Sequence, residues 1–191
     1  MKRRHIITIS GKPGSGKSST SDLVAEKLGF KRFSSGDFMR KIALEMGVSL
    51  NELGQLAEQD DGKIDGKIDA EVKKAGDNEK IIVDSRLAFH WIPESFKVYL
   101  DLPAEIAKER IWENLKKNKL RMDSEHAGSA QEVYQKITER LQSERKRYKE
   151  LYGIENHTDE NNFDLVIDTD KNNLAEVAEI IVKHYKEWIS K

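Results

Sequence analysis

Eight consecutive residues, Gly11-Lys12-Pro13-Gly14-Ser15-Gly16-Lys17-Ser18, satisfy the spacing G-x-x-x-x-G-K-[ST] in full. Each residue type has a task in it. The glycines let successive backbone N–H groups turn toward one point, with no Cβ between them and a bound anion. Lys17 brings a mobile positive charge, and Ser18 a hydroxyl of the kind a hard divalent cation takes as ligand. These groups make a cradle for the phosphates of ATP with Mg²⁺. Gly11 to Ser18, with Ser19 following, form the candidate ATP-binding segment; Lys17 is also a catalytic candidate and Ser18 a metal ligand.

Such a loop works only between a strand and a helix. Ile6-Ile7-Thr8-Ile9 is a short β-branched run closed by Gly11, which predicts a buried strand. Past Ser18, Leu23, Val24 and Leu28 return at helical spacing, and Gly29 stops the helix. Phe30–Phe33, Ile81–Val83, Val98–Leu100 and Leu165–Ile167 predict four more strands. Helices are predicted over Asp37–Met46, Leu50–Gln59, Lys63–Lys74, Pro103–Leu115, Ala130–Tyr152 and Leu174–Ile189. Short apolar strands alternating with helices imply an α/β fold: a parallel sheet of five strands between two helical layers. At 191 residues this is one domain spanning 1–191, with residues 36–76 as a helical insertion. The polar stretch 116–130, with Lys119 and Arg121, is either a lid over reacting phosphates or an exposed connection.

Ligands of open α/β sheets gather at the C-terminal ends of the strands. Asp84 ends Ile-Ile-Val, as a carboxylate serving Mg²⁺ would, or as a helix cap. Arg86 stands where it can grip a phosphate with two parallel hydrogen bonds, or it is a surface arginine. Ser35 and Asp37 can cap the next helix, and Arg40 is the candidate second cation for an acceptor phosphate. Arg140 and Arg147, seven apart on a long helix, share a face; they are candidates for charge on a transferring phosphoryl group, or part of a solvated face.

Composition excludes other classes. The chain holds 33 basic and 34 acidic residues, net charge −1, which is no footprint for nucleic acid or an anionic membrane. No apolar run approaches the roughly 20 residues that cross a bilayer. The absence of cysteine fits a reducing compartment. A cytoplasmic monomer is the expectation.

Four stretches resemble the nucleoside monophosphate kinases, and among them the archaeal-type cytidylate kinases: ITISGKPGSGKSS (Ile7 to Ser19), FSSGDFMRKIALEMGVSL (Phe33 to Leu50), DSRLAFHW (Asp84 to Trp91) and SERKRYKELYGI (Ser143 to Ile154). The likeness continues through AEQDDGKIDGKIDAE and DLVIDT, so it covers nearly the whole chain. It implies a five-stranded parallel core, a monophosphate-binding insertion, a lid, and Mg²⁺-dependent transfer of the ATP γ-phosphate to CMP and dCMP. It matches Gly36, Asp37 and Arg40 to the family's Gly-Asp-x-x-Arg motif, Arg86 to the arginine after the third strand, and Arg140 and Arg147 to its late arginine pair. Thr169 to Lys171 would lie near the adenine of ATP. Lys12 stands where proline is frequent in such loops, and Asp84-Ser85 where Glu-Gly is common.

For the base, Asp65 and Asp69 fall four apart on one helix face. A carboxylate there can accept from the cytosine amino group, which uracil lacks; the alternative is a solvated acidic face. Rival readings are a kinase for AMP, UMP or dephospho-coenzyme A, or an ATP-binding regulatory module.

Overall fold

Ile6, Ile7 and Ile9 are fully shielded from solvent because their strand is the middle one of five. In the computed structural model, which describes residues 3–117 and 128–191, β1 (Ile6–Gly11) pairs with β3 (Ile81–Asp84) and β4 (Phe96–Asp101). β2 (Lys31–Ser34) lies outside β3 and β5 (Leu165–Asp168) outside β4, giving the order β2-β3-β1-β4-β5. Every pairing is parallel, as the alternation of strand and helix implied. Residues 118–127, including Lys119, Arg121 and most of the expected lid, lie outside the described residues.

Side chains alternate across the sheet. Ile7, Ile9, Ile82, Val98 and Leu100 face α1 (Lys17–Leu28) and the final helix, packing on Val24 and Ala25 of the first and Val177, Ile181 and Tyr185 of the second. Ile6, Ile81 and Val83 face the other way, onto Val72, Ala75, Ala88 and Ile92. Each such buried aliphatic side chain contributes roughly 1.5–3 kcal/mol relative to an exposed one. One sheet thus carries two cores.

The helices are α2 (Ser35–Met46), α3 (Leu50–Ala57), α4 (Lys63–Gly76), α5 (Ala88–Trp91), α6 (Ala104–Lys117), α7 (Ala130–Tyr152) and α8 (Leu174–Ile189). Side-chain oxygens meet the first turns of several of them, Asp60 accepting from the Lys63 and Ile64 N–H groups of α4. Ser49 and Glu52 close a capping box on α3, Asn173 and Glu176 do so on α8, and Ser129 caps α7. The short α5 and the 3₁₀ turn Glu160–Asn162 have no counterpart among the expected elements, since a single turn is too short to display a helical period.

The chain divides into two compact units. The sheet unit comprises Met1–Gly36, Asp69–Leu102 and Thr158–Lys191; the helical unit comprises Asp37–Ile68 and Pro103–His157. The helical residues after β2 therefore do not group by themselves. Within the helical unit, Leu50 and Leu53 pack with Met39, Ile42 and Ile64, while Val133 and Ile137 pack with Ile111 and Trp112.

Candidate active site

The phosphate loop is positioned by its backbone. Gly11 lies against β4 so closely that an added Cβ would come 2.4 Å from the carbonyl oxygen of Leu100. Gly14 (φ +78°) and Gly16 (φ +84°) occupy the left-handed region that favours glycine. Gly16 stands at the N-cap of α1 and, having no side chain, leaves the first-turn N–H groups unblocked. Paired with the loop, that helix end presents donors and a positive dipole to an anion. Ser15, buried, ties the loop across itself through a 2.8 Å bond to the Lys12 carbonyl. Pro13 is buried and Ser19 exposed. Lys17 Nζ donates to the carbonyls of Gly11 (2.8 Å) and Lys12 (3.0 Å), so its charge sits inside the cradle.

The rim beside the loop is acidic. β3, β4 and β5 end in Asp84, Asp101 and Asp168, and each carboxylate meets a cation. Asp101 binds the Lys12 ammonium at 2.5 Å, tethering the loop to β4. Asp168 binds Lys171 at 2.8 Å, and the hydrogen bond from that ammonium, with one from the Asp170 N–H, holds its carboxyl below the usual range. Thr169 is buried, its N–H and hydroxyl both donating to the Asp101 carbonyl. The segment 169–171 is thereby fixed to the end of β4, with the Lys171 side chain itself exposed.

Asp84 lies deepest. Its Oδ2 accepts from Ser18 Oγ at 3.1 Å and from Arg32 Nη2 at 3.0 Å. Ser18 and Asp84, expected as metal ligands from opposite ends of the sequence argument, are thus neighbours. A hydroxyl and a carboxylate are the hard oxygen donors Mg²⁺ prefers. Among the described residues no group of three or more His, Cys, Asp or Glu could hold a metal. Two oxygen donors suit an ion that keeps waters and takes phosphate oxygens. Arg86 follows, half-buried, after a turn pinned to β1 by the Ser10 hydroxyl, which donates to the Ser85 carbonyl at 2.8 Å.

Asp69 accepts from Trp91 Nε1 at 3.0 Å, and Lys73 lies 3.7 Å over the same indole. Gly36 is the second residue of α2.

In the helical unit Asp37 holds Arg40 at 2.5 Å, one turn along α2. Arg140 is half-buried on α7. Arg147, on the same face, is 3% exposed; its guanidinium donates to Asp65 (2.6 Å), Ser143 (2.5 Å) and the Gly54 carbonyl (3.4 Å). Burial pushes the Asp65 carboxyl above its usual range, and Arg147 pulls it back only in part. Arg145 and Lys146 are exposed, as the helical phase implied. Asp65 and Asp69, expected to act together, have separate partners. Arg147, expected on a transferring phosphoryl group, is held here by a buried ion pair with Asp65.

Sequence reasoning missed Arg32, Asp22, Asp101 and Trp91. Arg32 carried a faint signal, two residues before Ser34 on a short strand, but its meaning depends on the β2–β3 register.

A family model described as "AAA domain" matches residues 10–127. A cytidylate kinase of Methanocella arvoryzae is 38% identical over 185 residues, covering 95% of this chain and 97% of that one. The chain belongs to the archaeal-type cytidylate kinase family. An S-adenosylmethionine-dependent nucleotide dehydratase of Lacinutrix mariniflava is 33% identical over 95% of this chain, which spans only 36% of that protein's length. A shikimate kinase of Acinetobacter baumannii, at 15% identity and TM-score 0.61 over all of this chain, shares the fold. By family and fold this is a P-loop kinase of the nucleotide and small-molecule class. Among the described residues no helix is long and apolar enough to cross a membrane.

Proposed function

We propose that the protein transfers the γ-phosphate of ATP to CMP, and to dCMP, giving the diphosphates. The full-length likeness to a cytidylate kinase carries this reading of the acceptor. The loop geometry and the Ser18–Asp84 contact support the donor half.

Loop N–H groups and the α1 N-terminus bind the donor phosphates. Lys17 exchanges its two carbonyl contacts for phosphate oxygens and stabilises the charge that develops in transfer. Ser18 and Asp84 would hold Mg²⁺, which supplies charge neutralisation across the donor phosphates. Arg86 and Arg40 grip phosphate, Asp37 setting the direction of Arg40. Arg140 keeps the role of stabilising the transferring group, while Arg147 acts indirectly, by fixing α7 to Asp65. Thr169 and Lys171 flank the adenine, and Asp69 accepts from the cytosine amino group beside its bond to Trp91. The protein acts on two free nucleotides, without nucleic acid or membrane, as a cytoplasmic monomer.

The test offers labelled ATP with CMP, dCMP, UMP, AMP and dephospho-coenzyme A. CMP is expected to give the highest kcat/KM; preference for a purine or coenzyme acceptor overturns the acceptor, and hydrolysis with no phosphorylated product overturns the kinase reading. Lys17→Ala is expected to lower kcat by about 10²–10³ with an unchanged melting temperature.

A further inference from the structure

Asp84 does not stand alone at the end of β3. Parallel pairing sets Ser34 of β2 opposite Asp84 and Arg32 opposite Ile82. Residues two apart on a strand share a face, so Arg32 lies on the same side of the sheet as Ile82, the side that α1 covers. There its guanidinium reaches Asp84 at 3.0 Å and Asp22 at 3.3 Å. Asp22 is one turn beyond Ser18 on α1, and Ser18 is itself 3.1 Å from the same Asp84 oxygen. The result is a chain of contacts, Asp22–Arg32–Asp84–Ser18, in which an arginine holds the carboxylate best placed for a metal. The two ends differ. The Asp84 side chain is 6% exposed and that of Asp22 65%, so the inner contact is the less screened by water.

A fixed guanidinium on a carboxylate oxygen does two things. It keeps the carboxylate aimed, and it repels a second cation that approaches the same oxygen. An opposite charge within about 4–6 Å favours a charged group by roughly one to three orders of magnitude in its equilibrium, and a like charge disfavours it. The repulsion is overcome when the arriving metal brings negative charge with it, as a metal–triphosphate complex does. A bare divalent ion brings none.

We propose that Arg32 is a resident counter-ion of Asp84 that keeps the nucleotide-free site from taking up a divalent metal, so that metal enters only with a nucleoside triphosphate. This rests on the reading of Ser18 and Asp84 as metal ligands. Arg32 is on this account a positioning residue: it acts through Asp84 and touches neither nucleotide.

The test is a titration of Mn²⁺, followed by the electron paramagnetic resonance of the free ion, into the full chain with and without a non-hydrolysable ATP analogue. Wild type is expected to bind Mn²⁺ far more tightly with the analogue than without it. Arg32→Gln is expected to bind Mn²⁺ without nucleotide about tenfold or more tightly than wild type. Arg32→Lys, which keeps the charge, should stay close to wild type, and Arg32→Gln/Asp84→Asn should lose the gain. Circular dichroism of each variant checks that it is folded. If Arg32→Gln does not fold, Arg32→Lys still decides: tight nucleotide-free Mn²⁺ binding by that variant overturns the proposal. So does a folded Arg32→Gln with wild-type Mn²⁺ affinity, which would leave Arg32 a strut between β2 and α1. Failure of wild type to bind Mn²⁺ even with the analogue overturns the underlying metal reading instead.

Discussion

The sheet unit and the helical unit hold their charged residues in opposite ways. In the sheet unit two cations lie partly exposed against aspartates that terminate strands, Lys12 on Asp101 and Lys171 on Asp168, while Arg32 on Asp84 is more enclosed. In the helical unit the principal ion pair is buried on both sides, Arg147 and Asp65 being 4% and 6% exposed at the side chain. Rim pairs are hydrated and exchangeable, as groups that must release a partner to take up a phosphate need to be. A buried pair is costly to break, because removing one partner strands a charge away from water. The exposed pairs can exchange partners, and the buried pair holds a helix in place.

The hardest test of that contrast is Asp65→Ala. It should destabilise the helical unit by about 3–5 kcal/mol, read as a lowered urea midpoint, since Arg147 would be left charged and buried. Replacing both partners together, Asp65→Ala with Arg147→Met, should recover much of the loss. A cost under about 1 kcal/mol for the single variant would place this pair with the exchangeable ones.

Alkaline pH probes the sheet unit. Burial, with the Glu79 carboxylate adding to it, pushes the Tyr185 phenol from 10.0 up to about 12. A raised pKa means that the folded protein keeps a proton the unfolded chain has lost. The stabilisation from Tyr185 is therefore complete below pH 10 and falls away between pH 10 and about 12. The slope is at most about 1.4 kcal/mol per pH unit. Tyr185→Phe should flatten the fall in melting temperature over that window; an unchanged profile would show that the phenol ionises freely in the folded protein.

The smallest effect is expected at the rim. The Lys12 and Asp101 side chains are 39% and 33% exposed, so Asp101→Asn should move stability by no more than about 1 kcal/mol in a thermal melt. Its signature should be a raised KM for ATP with kcat little changed, because the loop loses a tether and no reacting group. A large loss of stability would place this pair with Asp65 and Arg147.

Much of this was legible before any fold was known. The phosphate loop occupies eight consecutive residues, so its chemistry survives in one dimension, and Gly11, Gly14 and Gly16 announce backbone geometry that other residues do not tolerate. Helices α7 and α8 begin and end where their caps stand: Ser129 and Gly153, then Asn173. Caps act within a few residues of themselves, which is why sequence places them. Asp84 stood out as a candidate for the same reason: an aspartate after an apolar run is a local pattern.

Sequence by itself thus determined the elements, their alternation and the donor-phosphate cradle, since propensity, capping and the loop motif are short-range effects. The tertiary structure alone decided the order β2-β3-β1-β4-β5, the register that brings Arg32 within reach of Asp84, and the pairing of Arg147 with Asp65 across 82 positions of chain. A charge on a side chain carries no record of its partner. Which opposite charge it meets depends on burial and on the spacing of parallel strands, and both exist only once the sheet has formed.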